Sequence, residues 1–304
     1  MIIKRKRLLP MTTFHQKPNM YVSHVQLKVS NLEQSIQYYE EIIGFKTLST
    51  ENGVAYLTFD GKTSLLSLVE VQDALPLRDG YTGLYHLALL LPTLKDLGNI
   101  VQHFIKNDVR IGASDHHVSQ ALYLNDPDGN GIEIYVDRED SNWLWDSRNS
   151  VHMTTTHLDF NPILAAADGN WNGLPEGTVM GHIHLSIKSI PESEAFYTNV
   201  LDYETVLHYG AQALFISTGR YHHHIGLNTW HSNGGEKAPD NAVGLKSYTV
   251  VLKDEAYAND VKAKLDSAGY VTELYADAPE FGGKQAFSVV DPNGIRIVFT
   301  TEGN

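Results

Sequence analysis

HVQLKVSNLEQSIQYYEEIIGF, residues 24–45, and HIHLSIKSIPESEAFYTNVLDY, residues 182–203, align without a gap. Each opens on a histidine and runs through a strand of alternating apolar residues. Each then crosses a polar turn and continues as an amphipathic segment ending in an aromatic pair, Tyr38–Tyr39 and Phe196–Tyr197. Two further stretches pair the same way: GLYHLALLLP at 83–92 with GLKSYTVVLK at 244–253, and DPDGNGIEIY at 126–135 with DPNGIRIVF at 291–299. In the last pair Pro fixes φ and Gly takes the strained position, so each marks a tight turn before a strand. Alternation and β-branched residues mark the strands between these landmarks. The chain therefore reads as βαβββ four times, at residues 21–75, 81–137, 180–230 and 243–301. One such unit is too small to bury its own sheet face. The expected fold is α+β: four βαβββ modules pairing into two curled mixed β-sheet cups.

On this reading residues 1–20 are an N-terminal tail and 21–137 hold modules 1 and 2. Residues 138–179 form a linker anchored by Trp143, Trp145 and Trp171, and 180–304 hold modules 3 and 4. The start, MIIKRKRLLPM, is basic and too short in apolar residues for a secretory signal, so it reads as a disordered tail or as sequence upstream of a natural start at Met11. No apolar run is long enough to cross a bilayer, and a cytoplasmic protein with no membrane partner is expected. The net charge of −13 disfavours nucleic acid. Cysteine is absent, which excludes disulfides and thiolate-bound zinc or iron–sulfur clusters. The 15 histidines make a metal held by His and carboxylate worth seeking.

The first-strand positions of the four units read His24, His86, His182 and Ser247. The carboxylate position after the DPxG turn reads Glu133 in the second unit and Val298 in the fourth. Four βαβββ units with this histidine and DPxG-N-x-IE pattern resemble the vicinal oxygen chelate superfamily. That group includes glyoxalase I, bleomycin and fosfomycin resistance proteins and type I extradiol ring-cleaving dioxygenases. The four-unit format resembles the extradiol enzymes, and the pattern is most like the Bacillus-type catechol 2,3-dioxygenases. The likeness covers almost the whole chain beyond residue 20.

This resemblance implies Fe(II), with Mn(II) as an alternative, held by His86, Glu133 and His182. It implies His223 as the acid–base group and Tyr123 as a hydroxyl that hydrogen-bonds a ring oxygen. The partners it implies are a small aromatic diol and O2, with a homo-oligomeric enzyme expected. Two histidines and a carboxylate on one face of an iron leave positions open for a chelating diol and dioxygen.

Assembling that set requires the second unit to pair with the third, and so the first with the fourth. Pairing sequential neighbours instead would put His24, Glu70, His86 and Glu133 together, a set resembling glyoxalase I with Ni(II) or Zn(II), and hence a lyase or isomerase. A non-catalytic binding or resistance protein of the same fold is the third reading. In YHHHIGLNTW, residues 221–230, strand alternation sends His223 one way and His222 and His224 the other. The run is therefore read as one catalytic histidine flanked by two that bond on the back face or at the surface. His184 shares the face of His182, as a ligand or its partner. His116 and His117 read as a solvated loop, with a place at the substrate edge as the alternative.

Overall fold

In the computed structural model, residues 14–275 and 286–301 are described. The first unit supplies β1 (Tyr21–Val29), β2 (Lys46–Glu51), β3 (Val54–Thr58) and β4 (Ser64–Glu70), and the second supplies β5 (Tyr81–Leu90), β6 (Gly112–Asp115), β7 (Ser119–Asn125) and β8 (Gly131–Asp137). The third supplies β9 (Val179–Ser186), β10 (Glu204–Tyr209), β11 (Ala213–Ser217) and β12 (Ile225–Asn228). A short β13 (Glu236–Lys237) precedes the fourth unit, β14 (Gly244–Val251), β15 (Glu273–Tyr275), β16 (Ala286–Val290) and β17 (Arg296–Thr300). The α-helices among the described residues are α1 (Leu32–Tyr38), α2 (Leu94–Lys106), α3 (Phe160–Ala166), α4 (Ile190–Ala195) and α5 (Glu255–Ser267).

The sheets pair the units out of order. One sheet runs β10-β11-β12-β9-β5-β8-β7-β6 and joins the third unit to the second. The other runs β15-β16-β17-β14-β1-β4-β3-β2 and joins the fourth to the first. The seams are antiparallel, β5 on β9 and β1 on β14. Within each unit the first strand lies parallel to the last, as β5 does to β8. Alternation then sorts the faces. Leu87, Leu89, Ile132, Ile134, Ile183 and Leu185 join the apolar core, while His86, Glu133 and His182 stand on strands adjacent to them at alternate positions. No helix among the described residues is long and apolar enough to cross a membrane.

Local chemistry explains why the four units look alike. Asn31, Thr93, Ser189 and Asp254 each cap the helix of their unit, with a side-chain oxygen accepting the amide three residues on. The two DPxG aspartates are buried and closed on themselves. Asp126 accepts the Asp128 and Asn130 amides, and Asp291 accepts those of Asn293 and Ile295. Each aspartate also accepts a buried tyrosine hydroxyl from the preceding unit, Tyr39 on Asp126 and Tyr197 on Asp291, both at 3.1 Å. The aromatic pairs seen in the sequence thus tie together units that lie in different sheets.

The linker is not bare. It contributes α3, which packs on α2, and its Met153, Thr154 and Thr155 reach a cavity in the first sheet described. Trp143 is buried against Phe14 and Tyr221, Trp145 lies under Arg220, and Trp171 stacks on His103. The assignment of residues 1–20 to a tail needs correction from Phe14 onward. His15 is buried with Nε2 bonded to the Gly181 carbonyl at 2.7 Å, and Met20 pairs through its backbone with Thr218. Residues 1–13 lie outside the described part.

His24 sits on β1 in the sheet of units one and four, buried, with no hydrogen-bond partner for Nε2 among the described residues. Burial lowers its pKa from 6.5 to about 3. The unfolded chain therefore takes up a proton below pH 6.5 that the fold refuses. Stability from this group is full above pH 6.5 and declines as pH falls toward 3. At pH 5 the loss is about 2 kcal/mol, from 1.5 units at about 1.36 kcal/mol each. Urea unfolding of His24→Gln at pH 7.5 and pH 5 is expected to show that much less pH dependence than the parent.

Candidate active site

Register builds the cup between units two and three. Glu133 on β8 and His182 on β9 both pair with Ala88 of β5, one on each side, so the three stand in one row. The small Ala88 leaves room for the two longer side chains to converge above it. His86 lies two residues back on the same strand and face. The outcome is three donors at one point. His86 Nε2 is 3.0 Å from Glu133 Oε2, His182 Nε2 is 3.2 Å from the same oxygen, and the two imidazole nitrogens are 3.4 Å apart. All three residues are buried. Donors at right angles around a first-row ion with bonds of about 2.1 Å stand ~3 Å apart, so these side chains fit a divalent cation.

Their electrostatics suit one too. Burial alone would push Glu133 up, but His182 and His86 together outweigh it and hold the carboxyl well below its ordinary range. Burial pushes His182 down, and Glu133 only partly offsets this. An ionised carboxylate and a neutral imidazole are the forms that bind metal.

The other sheet lacks the set. At the place corresponding to Glu133 it has Ser67 on β4, paired with Gln26, and Val298 on β17, paired with Thr249. Glu70 lies at the far end of β4, exposed, where its Oε2 accepts the Leu32 amide at 2.8 Å. His24 and Glu70 are therefore not brought to His86 and Glu133, and the four-ligand alternative is not assembled. Among the described residues, His86, Glu133 and His182 are the one group of three or more potential ligands within 4.8 Å of one another.

A cavity of about 490 Å³ opens onto the three residues, within the usual range for small-ligand sites. Tyr85, Phe215, Trp230, Met153 and Val118 give it apolar walls, and His223, Tyr123, His116 and His184 supply polar edges. His184 faces Gly226 across the β9–β12 pair. A Cβ on Gly226 would lie 2.9 Å from the imidazole, so the missing side chain is where that ring rests. His184 therefore lines the cavity beside the three donors rather than joining them, and its Nε2 has no hydrogen-bond partner among the described residues.

The histidine run differs from its sequence reading. Residues 221–224 form the turn before β12 and are not strand, so alternation does not govern them. The rings still diverge. His223 lines the cavity with its ring centroid 4.1 Å from that of His182, and burial, then His182, pushes its pKa well down. His222 and His224 are fully buried on the other side, not at the surface. His224 bonds Ser217 and the Phe14 carbonyl, whereas His222 bonds Asp137 and His223.

Tyr123 pairs with Glu133 across β7 and β8, and burial, then Glu133, raises its pKa well above the usual value, so it is a phenol. Its hydroxyl lies 2.6 Å from His116 Nε2, while His116 Nδ1 lies 2.6 Å from the Thr154 carbonyl. A carbonyl can only accept, so Nδ1 of His116 carries a proton toward Thr154 and Nε2 faces the Tyr123 hydroxyl. Of the two readings of His116, solvated loop or substrate edge, its place in the cavity lining fits the second. Its position three residues ahead of the strand that carries Tyr123 was the hint in the sequence.

Comparison with known proteins agrees with this architecture. The model of the Glyoxalase/Bleomycin resistance protein/Dioxygenase superfamily matches residues 21–134. A catechol-2,3-dioxygenase of Bacillus subtilis (strain 168) is 42% identical over 293 residues, covering 95% of this chain and 99% of the relative. Among solved structures, a putative dioxygenase from B. subtilis superposes with a TM-score of 0.62 at 15% identity over 95% of this chain and 87% of its own. Glyoxalase I from Zea mays does so with 0.56 at 16% identity, over 92% of each chain. The structural likenesses speak to fold alone. The near-full-length sequence identity goes further, and with it the chain belongs to the glyoxalase/bleomycin resistance protein/dioxygenase superfamily.

Proposed function

We propose that this protein is an extradiol dioxygenase that opens catechol, or a simple substituted catechol, with O2, using Fe(II) held by His86, Glu133 and His182. Mn(II) suits the same donors. The observation that carries the reading is the meeting of two units at one cavity: two histidines and a carboxylate at 3.0–3.4 Å, with His223 against His182. The full-length likeness to a catechol-2,3-dioxygenase supports it.

When bound, the ion would supply adjacent positions for the diol and dioxygen and an electron path between them. The remaining work falls to the side chains. A neutral His223 can take a diol proton and return it later, so the reaction needs no net acid or base. With its O–H directed at His116, the Tyr123 oxygen is left to accept a hydrogen bond from a substrate hydroxyl. Phe215, Trp230 and Tyr85 offer apolar walls against which the ring would pack. All atoms of catechol and O2 end in one ring-opened product.

The test is direct. Protein reconstituted anaerobically with Fe(II), then given catechol and air, is expected to consume O2 and form a yellow ring-opened product. Absence of turnover with any catechol by iron-loaded protein overturns the proposal.

A further inference from the structure

His222 and Asp137 have no part in the reaction as described, yet they form a hydrogen-bonded chain, part-buried at Asp137 and fully buried at His222, that ends at its acid–base group. Asp137 closes β8, four residues beyond Glu133, and belongs to the second unit, whereas His222 and His223 belong to the third. His222 Nε2 is 2.8 Å from Asp137 Oδ1, and His222 Nδ1 is 2.8 Å from His223 Nδ1. The His222 ring is fully buried and wedged between Tyr221, at 4.1 Å between centroids, and Trp143, at 5.1 Å. It has no room to turn over.

Protons in such a chain are not independent. A carboxylate oxygen accepts, so a His222 ring with one proton carries it on Nε2, facing Asp137. Nδ1 of His222 is then a lone pair. Two ring nitrogens 2.8 Å apart share one proton, so His223 must donate from its own Nδ1. Nε2 of His223 is left unprotonated on a ring that lines the cavity.

We infer that Asp137 and His222 are positioning residues that lock His223 as the Nδ1–H tautomer, so that Nε2 stands ready to take a proton from a bound diol. This rests on the dioxygenase reading for the identity of the diol, but the tautomer itself does not depend on it. The chain also fixes the His223 ring against rotation, since turning it would exchange Nδ1 for a carbon and leave buried nitrogens unpaired. After His223 takes up a proton, Nδ1–H still points at His222, and Asp137 balances the charge through it.

The tautomer can be read without catalysis. The full chain, labelled with ¹⁵N-histidine and loaded with diamagnetic Zn(II), is examined by long-range ¹H–¹⁵N correlation, with His223 assigned by comparison with His223→Gln. The expected spectrum shows a protonated Nδ1 and an unprotonated Nε2 at His223. Asp137→Asn can turn its amide N–H toward His222 Nε2, which inverts both tautomers with the rings in place and moves the His223 proton to Nε2. In the Fe(II) enzyme this variant is expected to lose about 10- to 100-fold in kcat with KM for catechol nearly unchanged, the scale typical of outer partners, and Asp137→Glu is expected to recover part of it.

A wild-type His223 protonated on Nε2 overturns the inference, as does an Asp137→Asn variant that loses kcat with its tautomer unaltered. Should the variant fail to fold, the wild-type spectrum alone decides. A protein that shows the expected tautomer but opens no catechol contradicts the assigned reaction and leaves this inference standing.

Discussion

Glu133→Gln is expected to bind no metal after gel filtration and to show no measurable ring opening, while remaining folded. The carboxylate is the only anion among the three donors, and its two histidines sit at 3.0 and 3.2 Å from one oxygen. An amide in its place offers a weaker, uncharged oxygen to a cation. Loss of affinity should exceed the roughly 10–100-fold typical of residues that only support ligands. Metal-free stability should fall at neutral pH, because His182 and His86 more than offset the desolvation of the Glu133 carboxylate in the fold. Metal analysis of purified protein and calorimetry of the metal-free forms check the two halves. A variant that keeps its metal would remove Glu133 from the set.

His223→Ala should do the reverse: full metal content, with turnover down about 10²- to 10⁴-fold, the usual contribution of a general acid–base group. The residue touches His182 but is not within the group of three donors. Metal content and steady-state kinetics measured on the same sample separate the roles. Unchanged turnover would remove the acid–base assignment, and loss of metal would make His223 a ligand.

Much of this arrangement is legible in the sequence because it rests on local chemistry. Strand alternation, helix caps at Asn31, Thr93, Ser189 and Asp254, and the two DPxG turns each depend on residues a few positions apart. They reveal the four units without reference to tertiary structure. Histidines at equivalent strand positions follow from the repeat. That the second unit pairs with the third was legible only indirectly, because that pairing gathers the dispersed histidines and carboxylate.

What escaped the sequence depends on distant contacts. His116 looks like loop because its partners, Tyr123 and the Thr154 carbonyl, lie across a turn and in the linker. Phe14–Met20 carries no strong periodicity, yet His15 reaches Gly181, 166 residues away. The histidine run invited a strand reading because Ile225–Asn228 follows it, but a turn lets His222 reach Asp137 in another unit. His184 shares its face with His182, yet the space over Gly226 draws its ring aside.

The central claim is that the working site lies between the second and third units. Anomalous diffraction at the iron edge from Fe(II)-loaded crystals tests it in one measurement. The account predicts a peak within bonding distance of His86 Nε2, Glu133 and His182 Nε2, beside the cavity that His223 lines. A peak near His24 in the other sheet, or none at the three donors, would contradict it.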